Sequence, residues 1–191
     1  MGVSQYRTIL ADPPWPYRQR LQGSRVRGGV KYPTMAVEEI AVLPIRELVA
    51  PECQCWLWAT NTHLHDAFHV LEAWGFQYVT TVTWAKTQFG LGYWLRGQTE
   101  HLLLGVKGKP RKAMTGPHGA SGGNWSTLVT AARGIHSEKP QVFYDMVEAL
   151  GEPPRLELFA RRQRLGWDVA GDEVGVIINS ELFLTNGRLL E

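Results

Sequence analysis

Thr8-Ile9-Leu10-Ala11-Asp12-Pro13-Pro14-Trp15 is the stretch whose reading decides this chain. Its apolar start reads as a buried strand over residues 6–12. That strand delivers an acid, two prolines and an aromatic ring to its carboxyl end. In an open α/β sheet, ligands bind at that edge. The prolines fix φ and force an extended turn, and their missing N–H groups leave carbonyls as the main backbone hydrogen-bonding groups. An acid beside rigid carbonyls is an acceptor cage, suited to a planar amine that donates two hydrogen bonds. Trp15 offers a face for a flat ring. A bare proline turn after a strand, with a core tryptophan, is the plainer reading of the same residues.

Working outward, strands and helices alternate. Val37, Ile40 and Ala41 begin a short helix that Pro44 interrupts, and Cys53–Ala59 reads as a second strand. Asn61 or Thr62 is expected to cap a helix with the stripe Leu64, Ala67, Phe68, Leu71 and Trp74, ended by Gly75. Residues 78–86 and 101–106 read as strands. Residues 107–134 read as one long glycine-rich loop, 137–150 as a helix and 155–160 as a strand. This alternation predicts an α/β fold, a mostly parallel central sheet with helices on both faces. The tail 174–191 reads as an added hairpin or as a dimer contact, the latter making a homodimer.

The 191 residues suit a single domain, 1–191, with a full core. No apolar run reaches the ~18 residues of a membrane span, and no secretory h-region precedes the first strand, so no membrane partner and a cytoplasmic location are expected. Cys53 and Cys55, the two cysteines, read as buried thiols on one strand face. The histidines show no metal spacing, His65 and His69 included, so no metal is expected. Net charge is +2, unevenly spread. Residues 13–37 hold Arg18, Arg20, Arg25, Arg27 and Lys31 and no acid, and residues 73–137 hold seven Lys or Arg against Glu100 alone. Basic, glycine-rich segments beside a ligand edge suit a polyanion, so nucleic acid is the expected partner over solvated surface loops.

The motif resembles the (Asp/Asn/Ser)-Pro-Pro-aromatic signature of amino-methyltransferases. In its Asp-Pro-Pro-Trp form it resembles the MT-A type N6-adenine methyltransferases, relatives of the catalytic subunit of the mRNA m6A writer. Further blocks follow in that family's order. They are Tyr32-Pro33-Thr34-Met35, Trp58-Ala59-Thr60-Asn61, Gly92-Tyr93-Trp94-Leu95-Arg96 with Glu100, Ser137-Glu138-Lys139-Pro140, Glu157-Leu158-Phe159-Ala160-Arg161, and Gly166-Trp167 with Gly171.

The resemblance implies a Rossmann-like, S-adenosyl-L-methionine-dependent fold in permuted order, acceptor motif first and donor motif last. It implies Asp12, Pro13, Pro14 and Trp15 as the catalytic segment, Asp12 and the Pro13 carbonyl accepting both N–H bonds of the adenine amine. For the methyl donor it implies Asp12, Lys139, Glu157, Leu158, Phe159, Arg161 and Gln163, with Asp172 and Glu173 where the family often has Asn next. On the acceptor side it implies Tyr32, Trp84, Trp94, Glu100, Ser137 and Lys139. Residues 16–31 and 107–134 are the expected target-recognition loops. DNA is favoured over RNA by the short length and the absence of an RNA-binding appendage. An RNA adenine methyltransferase and an inactive nucleic-acid-binding subunit are the alternatives.

Overall fold

The computed structural model describes residues 5–16, 33–90, 94–111, 124–134, 138–171 and 174–177. Eight strands form one sheet: β1 (Tyr6–Ala11), β2 (Val49–Thr60), β3 (Gln77–Lys86), β4 (Thr99–Lys107), β5 (Leu128–Ala131), β6 (Arg155–Leu158), β7 (Asp168–Gly171) and β8 (Gly175–Ile177). Their order across the sheet is β5-β3-β4-β2-β1-β6-β7-β8. β1 lies parallel between β2 and β6, β6 pairs parallel with β7, and β3 with β5; β4 and β8 run against their neighbours. The sheet is therefore mostly parallel, as expected. β1 is flanked on both sides and covered on both faces, which is why its second half, Ile9–Ala11, is continuously apolar rather than alternating.

β2 shows the two-face arithmetic clearly. Cys53, Cys55, Leu57 and Ala59 enter one core with Ile40, Ile45, Leu48, Leu71 and Trp74. Trp56 and Trp58 enter the other, with Phe143, Met146 and Val147. The first core is roofed by α1 (Val37–Ala41), α2 (Ile45–Leu48) and α3 (Leu64–Ala73), the second by α4 (Gln141–Leu150). Helices thus cover both faces. Both cysteines are free and buried, and burial pushes the Cys53 thiol up to about 12 and that of Cys55 well above its ordinary value. They pack as small hydrophobes.

α3 ends as its sequence requires. Gly75 adopts φ +85°, and the N–H groups of Gly75 and Phe76 return to the carbonyls of Glu72 and Leu71. That is a Schellman close, with Phe76 packed in the same core as Leu71. Its start differs from expectation. Asn61–His63 form a short 3-10 turn, and α3 begins at Leu64 with no side-chain cap. Asn61 binds Thr99 and His101 across the sheet edge instead.

Two other boundaries differ. α4 starts at Gln141, not at 137, because Pro140 holds an extended ψ of 141° at its N-cap. The stretch 107–134 is not one loop: Leu128–Ala131 adds β5 to the edge of β3. Residues 112–123 of that stretch, and 17–31 of the first expected recognition loop, lie outside the described residues, as does 178–191 of the tail. The described part of the tail is the hairpin strand β8. No described helix is long and apolar enough to cross a membrane.

Candidate active site at the carboxyl edge of the sheet

The parallel strands end along one edge, and β4 begins there. Asp12 is the first residue past β1, Lys86 the last of β3, and Glu157 lies in the last turn of pairing between β6 and β1, opposite Leu10. Glu100 is the second residue of β4, opposite Thr60 on one side and Trp84 on the other. Lys139, just before α4, reaches in from above. Its Nζ lies 2.6 Å from Asp12 Oδ2 and 3.4 Å from Glu100 Oε2. The other oxygen of Glu100 is bound by Lys86 Nζ. Asp12, Lys139, Glu100 and Lys86 therefore alternate in sign along the edge.

This chain of charges is largely dehydrated. The Lys139 side chain is 10 % exposed and that of Asp12 34 %. Indole faces floor it: Lys139 Nζ stands 5.0 Å from the Trp58 ring and Lys86 Nζ 4.7 Å from Trp84. Burial pushes the Glu100 carboxyl up, but the Lys139 and Lys86 charges outweigh it and hold it below the usual carboxylate range. Burial likewise pulls Lys139 down, and Asp12 with Glu100 outweighs it and holds the ammonium above its ordinary value. Each charge is retained by its neighbours.

The turn itself is fixed by backbone and indole bonds. The Pro13 carbonyl accepts from the Trp15 N–H at 2.8 Å, and the Pro14 carbonyl from Met35 at 2.9 Å. The Trp15 indole N–H donates to the Trp58 carbonyl at 3.0 Å, tying the turn to β2. A carbonyl oxygen has two lone pairs, so Pro13 retains acceptor capacity beyond the Trp15 bond.

On the β6 side, Glu157 accepts a 2.8 Å hydrogen bond from Tyr144 of α4, whose ring lies 3.5 Å beneath the Arg164 guanidinium. Burial pushes the Glu157 carboxyl up, and the Asp12 charge adds to this, against the opposing pull of Tyr144 and Arg164. Phe159 follows with φ +61°, left-handed backbone that an aromatic residue adopts only under constraint. A polar cleft of about 260 Å³ opens beside Lys139, lined by Arg133, Glu138, Pro140, Gln141 and Arg162 among others. Lys139 is the residue shared between this cleft and Asp12.

Asp12, Glu100 and Lys139, all expected from sequence, thus converge. Others lie apart from this cluster. Trp84 is 2 % exposed, its indole N–H on the Ala131 carbonyl, so it supports Lys86 from the core rather than presenting an open face. Leu158 points into the core roofed by α1–α3. Trp94 is 90 % exposed on the β3–β4 connection. Arg161 and Gln163 are exposed in the turn after β6. Tyr32, Ser137, Asp172 and Glu173 lie outside the described residues. Lys86 and Tyr144 join the site beyond the residues expected from sequence. A lysine closing a strand at the ligand edge is a readable signal for Lys86; Tyr144 has none, being one apolar-stripe neighbour among several.

The acid-proline-proline-aromatic turn stands at a strand end with its acid paired to a buried lysine, on the edge where open α/β sheets bind ligands. The sequence profile of the MT-A70 family matches residues 6–173, which takes in every strand up to β7 and the whole charge chain. The chain belongs to the MT-A70 family. It is 31 % identical over 188 residues to the type II methyltransferase M.MunI of Mycoplasma, covering 89 % of this chain and 78 % of that protein. It is 27 % identical over 183 residues to the human N(6)-adenosine-methyltransferase catalytic subunit METTL3, covering 90 % of this chain and 29 % of that protein. A probable N(6)-adenosine-methyltransferase of rice matches at 30 % over 186 residues, 23 % of its length. The chain thus spans most of the Mycoplasma relative but about a quarter of these eukaryotic ones.

Proposed function

We propose that this MT-A70 protein transfers a methyl group from S-adenosylmethionine to the N6 amine of adenine in DNA. The observation that carries the reading is Asp12, held at the ligand edge in Asp-Pro-Pro-Trp with Lys139 at 2.6 Å. The N6 lone pair is delocalised into its ring and must be turned toward an electrophile. Asp12 and the Pro13 carbonyl accept the two N–H bonds of the amine, and Trp15 offers its indole to the base. The gain is positioning and electrostatics in a site with little water. After transfer Asp12 takes a proton from nitrogen or passes it to water.

The methyl donor supplies the electrophilic carbon when bound. The residues present fit such a group. Lys139 offers a buried cation for a carboxylate, and Glu157, in its Tyr144 bond, offers an acceptor for an ammonium or a ribose hydroxyl. The left-handed Phe159 turns the chain after β6 at the same edge. Arg161, Gln163, Asp172 and Glu173 are proposed to complete the donor side. Tyr32, Trp94, Glu100 and Ser137 are proposed on the acceptor side. An adenine in duplex DNA is reached by flipping it from the stack.

DNA is favoured because the relative matched over most of its own length is the Mycoplasma type II methyltransferase. The RNA reading rests on the N(6)-adenosine-methyltransferases, matched over about a quarter of theirs. The test offers labelled S-adenosylmethionine with unmethylated genomic DNA or with total RNA, and assays nuclease digests for N6-methyladenine by mass spectrometry. Product in DNA, absent with Asp12→Ala, is expected. Product in RNA alone overturns the substrate assignment. Neither product, with donor bound, makes the chain a nucleic-acid-binding subunit.

A further inference from the structure

His63 is 5 % exposed and sits where β2 hands over to α3. Its ring lies nearly parallel to the Trp15 indole, centroids 5.5 Å apart and planes 8° apart. Nε2 is 2.8 Å from the carbonyl oxygen of Pro16, the residue directly after the Asp-Pro-Pro-Trp turn. Nδ1 is 2.8 Å from Asp66 Oδ2 in the first turn of α3. A carbonyl and a carboxylate both only accept, so each ring nitrogen donates in its contact. Asp66 orients the ring from its far side, the role a carboxylate plays behind a working imidazole.

These contacts converge on one object. The Trp15 indole is held at its N–H by the Trp58 carbonyl and on its face by His63. The backbone leaving the turn is held at Pro16 by the same imidazole. Pro13 and Pro14 stiffen the turn before Trp15, but neither sets the indole χ angles nor the path after it. A histidine that served only to fill the core would also need partners for its nitrogens, but no particular ring plane against an aromatic neighbour. Here the ring face and Nε2 are spent on the four-residue motif and its exit, while Nδ1 is anchored to Asp66 of α3.

We propose that His63 is a positioning residue for methyl transfer, fixing the plane of Trp15 and the exit of the Asp-Pro-Pro-Trp turn through its stack and its Pro16 hydrogen bond. The inference rests on the reading of Trp15 as the wall against which the target adenine lies. A reacting nitrogen must sit within a few tenths of an ångström of its productive position, so a loosened wall lowers turnover more than binding. DNA affinity, carried mainly by phosphate contacts, depends little on this ring.

The experiment measures kcat and KM for unmethylated genomic DNA, and S-adenosylmethionine affinity by calorimetry. It uses wild type, His63→Ala, His63→Gln, Trp15→Ala and the double variant His63→Ala/Trp15→Ala. The glutamine amide reaches to the place of Nε2 and donates to Pro16, but has no ring to stack. Expected is a fall in kcat of about tenfold for His63→Ala, ~1.4 kcal/mol of barrier, with KM and donor affinity within about twofold. His63→Gln should fall between wild type and alanine. The double variant should lose no more than Trp15→Ala, since His63 acts through that residue. Unchanged kcat in His63→Ala overturns the proposal, as do parallel losses of kcat and donor affinity. A His63→Gln variant indistinguishable from wild type or from alanine also overturns it, and it carries the test should His63→Ala fail to fold. An inert Trp15→Ala instead removes the wall reading itself, an outcome separable from failure at His63.

Discussion

Replacing Lys139 by Met takes the cation from Asp12 at the sheet edge and leaves Glu100 to Lys86 alone. At an effective dielectric of about 20, the attractions at 2.6 Å to Asp12 and 3.4 Å to Glu100 are gross terms of roughly 6 and 5 kcal/mol. Returning the ammonium to water recovers several kcal/mol of that, so the net is much smaller. Breaking a buried pair from one side costs about 3–5 kcal/mol. Asp12 is a third exposed, which places Lys139→Met at the low end, about 3 kcal/mol. For a chain of this size that is a fall in Tm of roughly 6–12 °C. Lys86 still binds Glu100, which limits the loss there. The assay is urea unfolding followed by tryptophan fluorescence at pH 7, in low and in high salt. Salt should change the difference little, because the pairs are dehydrated. Lys139→Met and Glu100→Gln share one ion pair, so the double variant should cost less than the sum of the two single changes by on the order of 1 kcal/mol. A cost below about 1 kcal/mol, or no coupling to Glu100, would refute the view of this edge as a dehydrated charge chain.

Other outcomes follow from the same geometry. A Cβ on Gly171 would lie 2.0 Å from the Ala160 carbonyl oxygen and 2.6 Å from its nitrogen, backbone that has nowhere to go. Gly171→Ala should therefore destabilise by more than about 2 kcal/mol in thermal unfolding. The lowered carboxyl of Glu100 contributes stability above its ordinary pKa near ~4.3 that is lost as pH falls through its lower folded value. Glu157, raised, has the opposite sign: ionised it costs stability, and the cost vanishes as pH falls through its raised value toward about 4.3. Urea unfolding against pH should show Glu157→Gln more stable at pH 7 and flatter between there and about 4.3, and Glu100→Gln losing less below that pH. Arg111 is exposed just past β4. If it contacts phosphate, Arg111→Ala should reduce the magnitude of the log–log salt slope of DNA binding by about 1, with donor affinity unchanged. An unchanged slope would make it solvated surface.

The local pattern of the chain was enough to establish its longer elements and its central motif. β1 is legible because a strand buried on both faces carries an unbroken apolar run, here Ile9–Ala11. α3 is legible because its stripe and Gly75 answer to local geometry alone. Asp12 is legible because an acid at a parallel strand's carboxyl end has few other uses beside two prolines. Short elements were less visible. β5 and β7 have four residues each, too few for any period to show, and are strands only because β3 and β6 offer them a pairing edge. Side-chain fates across the edge were decided only by tertiary structure. Lys139 and Glu100 are 39 positions apart, and their 3.4 Å approach depends on the β4 register and on where Pro140 lets α4 begin. Trp84 and Trp94 are chemically alike, yet one is sealed beneath Lys86 and the other stands in solvent. Tyr144 and His63 acquire their partners from strands and turns far along the chain. Periodicity reports which face a residue occupies; which charge or ring it meets there is set by sheet order and register, and no local signal states either.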